Sequence, residues 1–187
     1  MSSLPDALPQ PVLTARRLSR YLSRMLDSQP WLGAALAESI DGPIGEAHLQ
    51  RFLGAREAVF GGGDGALRPA LRQLRIWVLC HLIVRDLACD AALPEVTETM
   101  TVLAEVAIRH AHDVLRAALV ERYGQPLSPT GWEQELLVVG MGKLGGRELN
   151  VSSDIDLIFI YPEDGDTGGK KVISNYEFFE RLGKQLI

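Results

Sequence analysis

The sequence has few cysteines, no long apolar run and no visible signal sequence. It contains two cysteines, Cys80 and Cys89, and no CxxC pair, which excludes a disulfide scaffold. The longest apolar run covers residues 76–84 and is interrupted by His81, whereas a membrane-spanning helix needs about 20 mainly apolar residues. The first 17 residues show no basic start followed by an apolar stretch, so no secretory signal is visible. We therefore expect a reduced, cytoplasmic setting and no membrane partner.

Lysine is absent from the first half of the chain, and the two halves differ in charge. Residues 1–89 hold 10 arginines and 8 acidic residues, for a net charge of +2. Residues 90–187 hold 9 basic and 16 acidic residues, for a net charge of −7. The strongly basic footprint of a nucleic-acid-binding domain is missing, so no nucleic-acid partner is expected. The acidic second half suits either a cation-binding site or an ordinary solvated surface.

The first two thirds of the chain predict an all-helical region. A chain of 187 residues with 47% apolar residues is long enough for one domain, or two small ones, with a buried core. Residues 1–12 carry three prolines, and we expect them to lack regular structure. Residues 76–84 are apolar on all sides, as in a helix buried within a bundle. Apolar residues at helical spacing predict helices over 13–25, 31–40, 45–60, 68–91 and 94–123, with a glycine-rich loop at 61–65.

After a linker at 124–131 the pattern changes from helical to mixed. Short apolar runs at 136–139 and 155–161 predict two strands, with a glycine-rich turn between them, and an amphipathic helix begins at Asn175. The chain ends inside that helix, and two strands with one helix are too few for a stable sheet domain. We therefore expect an α+β fragment of a longer protein. A helical region at 1–125 would precede the truncated start of a mixed-sheet domain at 126–187.

Two aspartates stand at the start of the second predicted strand. Asp154 and Asp156 are two residues apart, and strand side chains alternate, so both carboxylates should point to one side while Ile155, Leu157 and Phe159 face the core. Neighbouring carboxylates repel each other, and a divalent cation relieves that repulsion. Mg²⁺ is typically held by one or two carboxylates together with substrate phosphates. The pattern predicts catalytic, Mg²⁺-binding aspartates suited to displacement at phosphorus.

A glycine turn just upstream supports the same chemistry. Gly145 and Gly146 leave the backbone bare, so that amide N–H groups can approach phosphate oxygens, and Ser153 stands next to the first aspartate. Lys143 and Arg147 could contact phosphates, although a role as solvated surface cations remains equally open for each. A lone DxD or a lone GG is common in turns. Their combination ahead of an apolar strand favours a phosphate-handling site.

Other motifs favour competing chemistry less well. Gly140, Gly142 and Gly145 match the GxGxxG pattern of dinucleotide-binding proteins, but that pattern needs a full crossover helix and an acid at the end of the second strand. The P-loop pattern is absent because Lys143 is followed by Leu144. Structural roles are expected for the remaining candidates, which are His81, His110, His112, Cys80 and Cys89.

The motif residues resemble a known superfamily. LGG at 144–146 followed by SDIDL at 153–157 is similar to the hG[GS]…DhDh pattern of the nucleotidyltransferases, whose fold is DNA polymerase β-like. The longer string GMGKLGGRELNVSSDIDLIFIY resembles the bacterial glutamine-synthetase adenylyltransferase/adenylyl-removing enzyme family. SQPWL, VRDL and VLAE, at 28–32, 84–87 and 102–105, resemble its N-terminal region, so the likeness covers nearly the whole chain from about residue 18.

The resemblance implies an activity and a set of partners. Members of that family carry two nucleotidyltransferase domains: the N-terminal one removes AMP from a tyrosine of glutamine synthetase by phosphorolysis, giving ADP, and the C-terminal one attaches AMP from ATP. A single motif after a helical region implies the N-terminal, adenylyl-removing half. Asp154 and Asp156 would hold Mg²⁺, and Gly145, Gly146 and Ser153 would line the nucleotide phosphates. Implied partners are adenylylated glutamine synthetase, a PII-type signal-transduction protein, an adenine nucleotide and orthophosphate.

Two alternatives remain open beside that assignment. The same fold could run the opposite reaction, AMP transfer from ATP, or the chain could be a non-catalytic helical interaction module. The superfamily also has a third carboxylate on a later strand, which this chain does not contain. We therefore expect the 187 residues alone to be inactive or nearly so.

Overall fold

The described part of the chain, residues 8–187 of a computed structural model, is mostly helical with two small sheets. It has the expected α+β composition. The helices are α1 (Gln10–Leu18), α2 (Arg20–Ser28), α3 (Leu32–Ser39), α4 (Glu46–Val59), α5 (Asp64–Ala88), α6 (Leu93–Tyr123), α7 (Gly142–Gly145) and α8 (Asn175–Leu186). The strands are β1 (Pro126–Leu127), β2 (Leu137–Gly140), β3 (Leu157–Ile160) and β4 (Asp166–Thr167).

The N-terminal helices begin earlier and break more often than the sequence predicts. The expectation of irregular structure for residues 1–7 lies outside the described residues, but it is wrong for residues 10–12, which already form α1. Pro11 fits there because the first helical turn does not need its missing N–H. The single helix predicted over 13–25 is two helices. Ser19 is extended between them, and its Oγ accepts a hydrogen bond from the Leu22 backbone N–H at 3.2 Å.

Helix α5 lies at the centre of the helical bundle, where it contacts α1, α3, α4 and α6. Its middle is buried as expected: Cys80 and His81 are fully enclosed, and Trp77 stacks on Phe52 of α4 with ring centroids 4.5 Å apart. The predicted loop at 61–65 is shorter, because α5 already begins at Asp64 after three glycines with positive φ. No helix within residues 8–187 is long and apolar enough to cross a membrane.

Strands β2 and β3 form an antiparallel hairpin that carries the motif residues. Leu137 lies opposite Ile160, and Gly140 lies opposite Leu157. The second predicted strand, 155–161, is shorter in the structure, so Asp154 and Asp156 precede β3 rather than open it. Strands β1 and β4 form the other sheet, also antiparallel.

Helix α6 joins the two parts of the fold because its 31 residues reach both hydrophobic cores. Its first half packs in the bundle, whose core also encloses Leu144 and Leu149 from the segment after β2. Its last turns bring Leu119 and Tyr123 into a second core with the aromatic face of α8. The motif segment is therefore packed against the helical region and not separated from it.

Candidate active site

The glycine turn after β2 is built by close backbone approach. Gly142 has a φ of +55°, in the left-handed region that favours glycine. A Cβ on Gly145 would lie 2.6 Å from the Gly140 carbonyl oxygen, so a side chain there would force the turn apart. At Gly146 the nearest atom to such a Cβ is 3.5 Å away, an ordinary contact. The turn therefore requires glycine at 145, and local packing does not explain glycine at 146.

The two aspartates lie beside the entrance to this turn. The Met141 backbone N–H, one residue before α7, donates to the Asp156 carbonyl oxygen at 2.9 Å. Both aspartate side chains are exposed, and neither carboxylate makes a hydrogen bond or ion pair with any residue in 8–187. Two exposed acids close in sequence, with no cation of residues 8–187 paired to either, are available to an external cation.

The burial of the β3 side chains shows which face of the hairpin packs against the cores. Leu157 packs on the first core and Phe159 on the second, as expected. Ile155 is 41% exposed, so the expectation that it enters the core is wrong. The reason is that the ladder starts only at Leu157, and the residues before it are not held to the alternation of a strand. A shared side for the two carboxylates remains a prediction.

Asn150 organises the loop that leads to the aspartates. Its Oδ1 accepts hydrogen bonds from the Ser152 backbone N–H at 3.2 Å, the Ser152 Oγ at 3.2 Å and the Ser153 Oγ at 2.8 Å. Lys143 Nζ of the turn lies 3.4 Å from Ser153 Oγ, so two of the predicted site residues are together. Asn150 did not emerge from the sequence reasoning. An asparagine two residues before a serine is a typical turn-forming signal that could have marked it.

Arg147 has other partners than those predicted from sequence. Its Nη2 donates to Glu98 Oε1 at 2.7 Å and its Nη1 to Glu105 Oε1 at 2.5 Å, both on α6. The hydrogen bond that Arg147 donates to Glu98, and the negative charges of both glutamates, raise the pKa of the Arg147 guanidinium above its usual value. A role of Arg147 in phosphate binding remains a prediction, but the guanidinium here lies between two carboxylates.

A cleft of about 510 Å³ lies on the helix-facing side of the hairpin. Its walls come from α6, the glycine turn and the inward side chains of β2 and β3. It is lined by Glu105, Ile108, Arg109, His112, Leu136, Val138, Gly140, Leu144, Gly145, Arg147 and Leu157. Asp154 and Asp156 are not among its walls.

The histidines contact separate carboxylates. His110 Nε2 lies 2.7 Å from Glu57 Oε1, and His112 Nδ1 lies 3.0 Å from Asp113 Oδ1. Within residues 8–187 no three His, Cys, Asp or Glu side chains group as a metal site. A structural role for His110 and His112 remains a prediction.

Comparison with known proteins shows which family the sequence matches. Residues 11–187 match the glutamate-ammonia ligase adenylyltransferase family. Several bacterial proteins named bifunctional glutamine synthetase adenylyltransferase/adenylyl-removing enzyme are similar. That of Aromatoleum aromaticum is 63% identical over 187 residues, covering the whole chain and 20% of the relative. That of Nitrosomonas europaea is 49% identical over 172 residues, covering 90% of the chain and 18% of the relative.

The likeness extends to relatives of lower identity, and the relatives are much longer than this chain. The protein of the same name from Bordetella pertussis is 43% identical over 195 residues, covering 100% of the chain and 20% of the relative. The chain therefore spans about a fifth of the length of the relatives it matches. It belongs to the glutamate-ammonia ligase adenylyltransferase family.

Proposed function

We propose that the chain supplies an adenylyl-removing site that acts on an adenylylated tyrosine of glutamine synthetase. The observation that carries this proposal is the backbone hydrogen bond from the Met141 N–H to the Asp156 carbonyl oxygen. It holds the glycine turn close to the segment that carries two exposed aspartates, whose carboxylates are unpaired within residues 8–187. The names of the relatives, which include both the transferase and the removing activity, support the substrate. A PII-type regulator is a further partner proposed from the resemblance.

The donor set at Asp154 and Asp156 fits Mg²⁺. Two carboxylates with no protein partner in residues 8–187 match the usual Mg²⁺ site, in which substrate phosphates and waters supply the remaining oxygens. Asp154 and Asp156 would hold the ion. When bound, it would neutralise charge on the phosphate oxygens during the displacement.

The residues of the turn and loop would orient the phosphates. Gly145 and Gly146 are exposed and place no side chain in the way of a phosphate oxygen, while their own N–H groups donate to the Met141 and Gly142 carbonyl oxygens at 3.2 and 3.0 Å. Lys143 is exposed at the same turn. Asn150 holds Ser153 in place next to the first aspartate. Fixed donors of this kind lower the barrier by positioning, because a displaced reactant loses the alignment on which the rate depends.

The reaction exchanges one phosphorus–oxygen bond for another. An oxygen of orthophosphate attacks the phosphorus of the adenylyl group, and the bond from that phosphorus to the tyrosine oxygen breaks. The products are ADP and tyrosine, whose phenolate takes a proton from water. A phenol has a pKa of about 10, so its oxygen leaves more readily than that of an aliphatic alcohol.

The test uses the complete natural protein that carries this chain. Asp154→Asn and Asp156→Asn should each lower orthophosphate-dependent ADP release from adenylylated glutamine synthetase by about 100-fold or more, because each removes a charge that binds the cation. Glu148→Gln is the matched control, since Glu148 is an exposed acid on the same loop, and it should retain activity. Thermal unfolding should not change in the three variants.

The same variants separate the alternatives. The relatives are also named as adenylyltransferases, so incorporation of label from ATP into glutamine synthetase is measured in parallel. Loss of AMP incorporation with intact ADP release would assign the site to the opposite reaction. Undiminished activity of both kinds in the aspartate variants would leave a non-catalytic helical module as the better description.

A further inference from the structure

We propose that Arg147 is a positioning residue, which fastens the glycine turn and the aspartate-bearing loop to α6 through Glu98 and Glu105. The proposal rests on the function proposed above and gives Arg147 a role other than contact with substrate phosphate. Arg147 follows the turn directly, and its φ of +57° lies in the left-handed region, which is uncommon for a residue with a side chain. That backbone conformation coincides with the contact of its side chain with α6.

The two partners of Arg147 stand on one side of α6. Glu98 and Glu105 are seven residues apart, which is two helical turns and therefore the same face. One terminal nitrogen of Arg147 reaches each of them, at 2.7 and 2.5 Å. A planar guanidinium with several fixed donors can bridge two carboxylates in this way, whereas a lysine ammonium is a single point charge.

A second contact lies on the same face of α6, between the two glutamates. Thr101 Oγ1 accepts a hydrogen bond from the Leu149 backbone N–H at 3.4 Å. The side chains of Leu144 and Leu149, on either side of Arg147, are buried in the core of the bundle. The segment 144–149 is therefore held by two apolar anchors and by polar contacts with one face of α6.

Charge argues against Arg147 as the main phosphate ligand. Arg147 with its two glutamates forms a cluster of net charge −1, so an arriving phosphate would meet repulsion from the glutamates. The exposed Lys143, which makes no ion pair with a residue in 8–187, has no such competition. The three side chains of the cluster remain 35–57% exposed, so the ion pairs act mainly on the local segment and little on global stability.

Hydrogen exchange of the complete natural protein tests the fastening without reference to activity. Arg147→Gln and the double variant Glu98→Gln/Glu105→Gln should each speed amide exchange in peptides covering 141–153 by about threefold or more. Amide exchange in the triple variant should be no faster than in Arg147→Gln or in the double glutamate variant, because all three side chains belong to one interaction. The control is Arg16→Gln, which removes an exposed ion pair with Asp27 between α1 and α2 and should leave 141–153 unchanged.

Kinetics distinguishes positioning from phosphate binding. A displaced turn should lower kcat for ADP release by about tenfold in Arg147→Gln and in the double glutamate variant alike, with the KM for orthophosphate within about twofold of wild type. A phosphate ligand would instead raise that KM in Arg147→Gln and leave the glutamate variant near wild type, which would overturn the proposal. Additive or absent changes in exchange would overturn it as well.

The two proposals fail in different ways. If the aspartate variants keep their activity while exchange over 141–153 shows the coupling, the proposed function is wrong and Arg147 still fastens the segment. If the aspartate variants are inactive but exchange does not respond to Arg147 and the glutamates together, only the positioning role is wrong.

Discussion

His81 is a buried titratable side chain in the middle of α5. It is fully enclosed, its Nδ1 lies 3.3 Å from Ser39 Oγ, and its Nε2 has no hydrogen-bond partner within residues 8–187. Burial lowers the pKa of His81 to about 4, with smaller lowering from Arg85 and His48 and an opposing effect of Glu95. The imidazole is therefore neutral in the folded chain at neutral pH, and protonation would place an unpaired charge in the core.

This lowered pKa predicts a loss of stability in mild acid. Between the usual histidine pKa of about 6.5 and the folded value of about 4, the unfolded chain binds the proton and the folded chain does not. The free energy of unfolding should therefore fall as pH falls through 6.5, by about 2 kcal/mol at pH 5 from this group. Urea unfolding of the 187-residue chain at pH 7, 6 and 5 measures it, and His81→Leu should remove this part of the slope. Equal slopes in the two proteins would refute the assignment.

The residue types at the site were predictable, whereas their partners were not. Asp154, Asp156 and Gly145 stand out in the sequence because paired acids and bare backbone are uncommon together. Arg147 is different, because Glu98 and Glu105 are 49 and 42 residues away and only the fold brings them to it. The local sequence shows only that a cation lies near a glycine turn. Whether that cation binds a phosphate or a carboxylate depends on the tertiary structure.

At the scale of elements, one ion pair joins the end of α5 to the start of α6. Arg85 donates from Nε and Nη2 to the two oxygens of Glu95 at 2.7 and 2.9 Å, and the two side chains are only 14% and 15% exposed. The hydrogen bond with its partner lowers the pKa of Glu95 and raises that of Arg85. A parallel pair of bonds of this kind is stronger and more specific in geometry than a single hydrogen bond, so it ties the end of α5 to the start of α6.

Replacing only Glu95 should lower the free energy of unfolding more than replacing both members of the pair. Glu95→Gln leaves the Arg85 cation largely enclosed without its counter-charge, and we expect a loss of about 2 kcal/mol in the free energy of unfolding. The double variant Arg85→Met/Glu95→Gln removes the stranded charge and should recover part of that loss. Urea unfolding at pH 7 measures both. A double variant no more stable than Glu95→Gln would contradict the argument.

Element boundaries show where local pattern is overridden. Apolar spacing continues through Ser19, but its side chain caps α2 and its backbone is extended, so one predicted helix is two. In the hairpin, β3 begins at Leu157 because its partner Gly140 is the last residue of β2. The aspartates therefore lie just outside the ladder, on a loop shaped by Asn150.

At the scale of the whole molecule, the hairpin has one covered and one bare face. Val138 and Phe159 pack against the second core. The opposite face carries four apolar side chains that are 40–57% exposed, namely Leu137, Val139, Ile158 and Ile160. A two-stranded sheet is marginal by itself, so packing against α6 and α8 supplies most of what holds this part in place. The helical content and the α+β class could be predicted from the periodicity of the sequence. The burial of Leu144 and Leu149 of the motif segment in the core of the bundle could not.

This architecture predicts that the 187 residues alone lack the proposed activity. They contain two of the carboxylates that the sequence resemblance implies, on the loop before a hairpin with a bare face, and they span about a fifth of the length of their relatives. Incubation of the isolated chain with adenylylated glutamine synthetase, Mg²⁺ and orthophosphate should release no ADP above background. The complete natural protein under the same conditions is the control, and ADP release by the isolated chain would show the expectation to be wrong.

The most direct test of the account is a crystal structure of the complete natural protein grown with Mn²⁺ and ADP. Anomalous scattering locates the metal independently of any assumption about the site. The account predicts a peak about 2–2.5 Å from a carboxylate oxygen of Asp154 and of Asp156, with nucleotide phosphate against the backbone of the turn at Gly145. A metal bound elsewhere, or the two carboxylates on opposite sides of the chain, would contradict it.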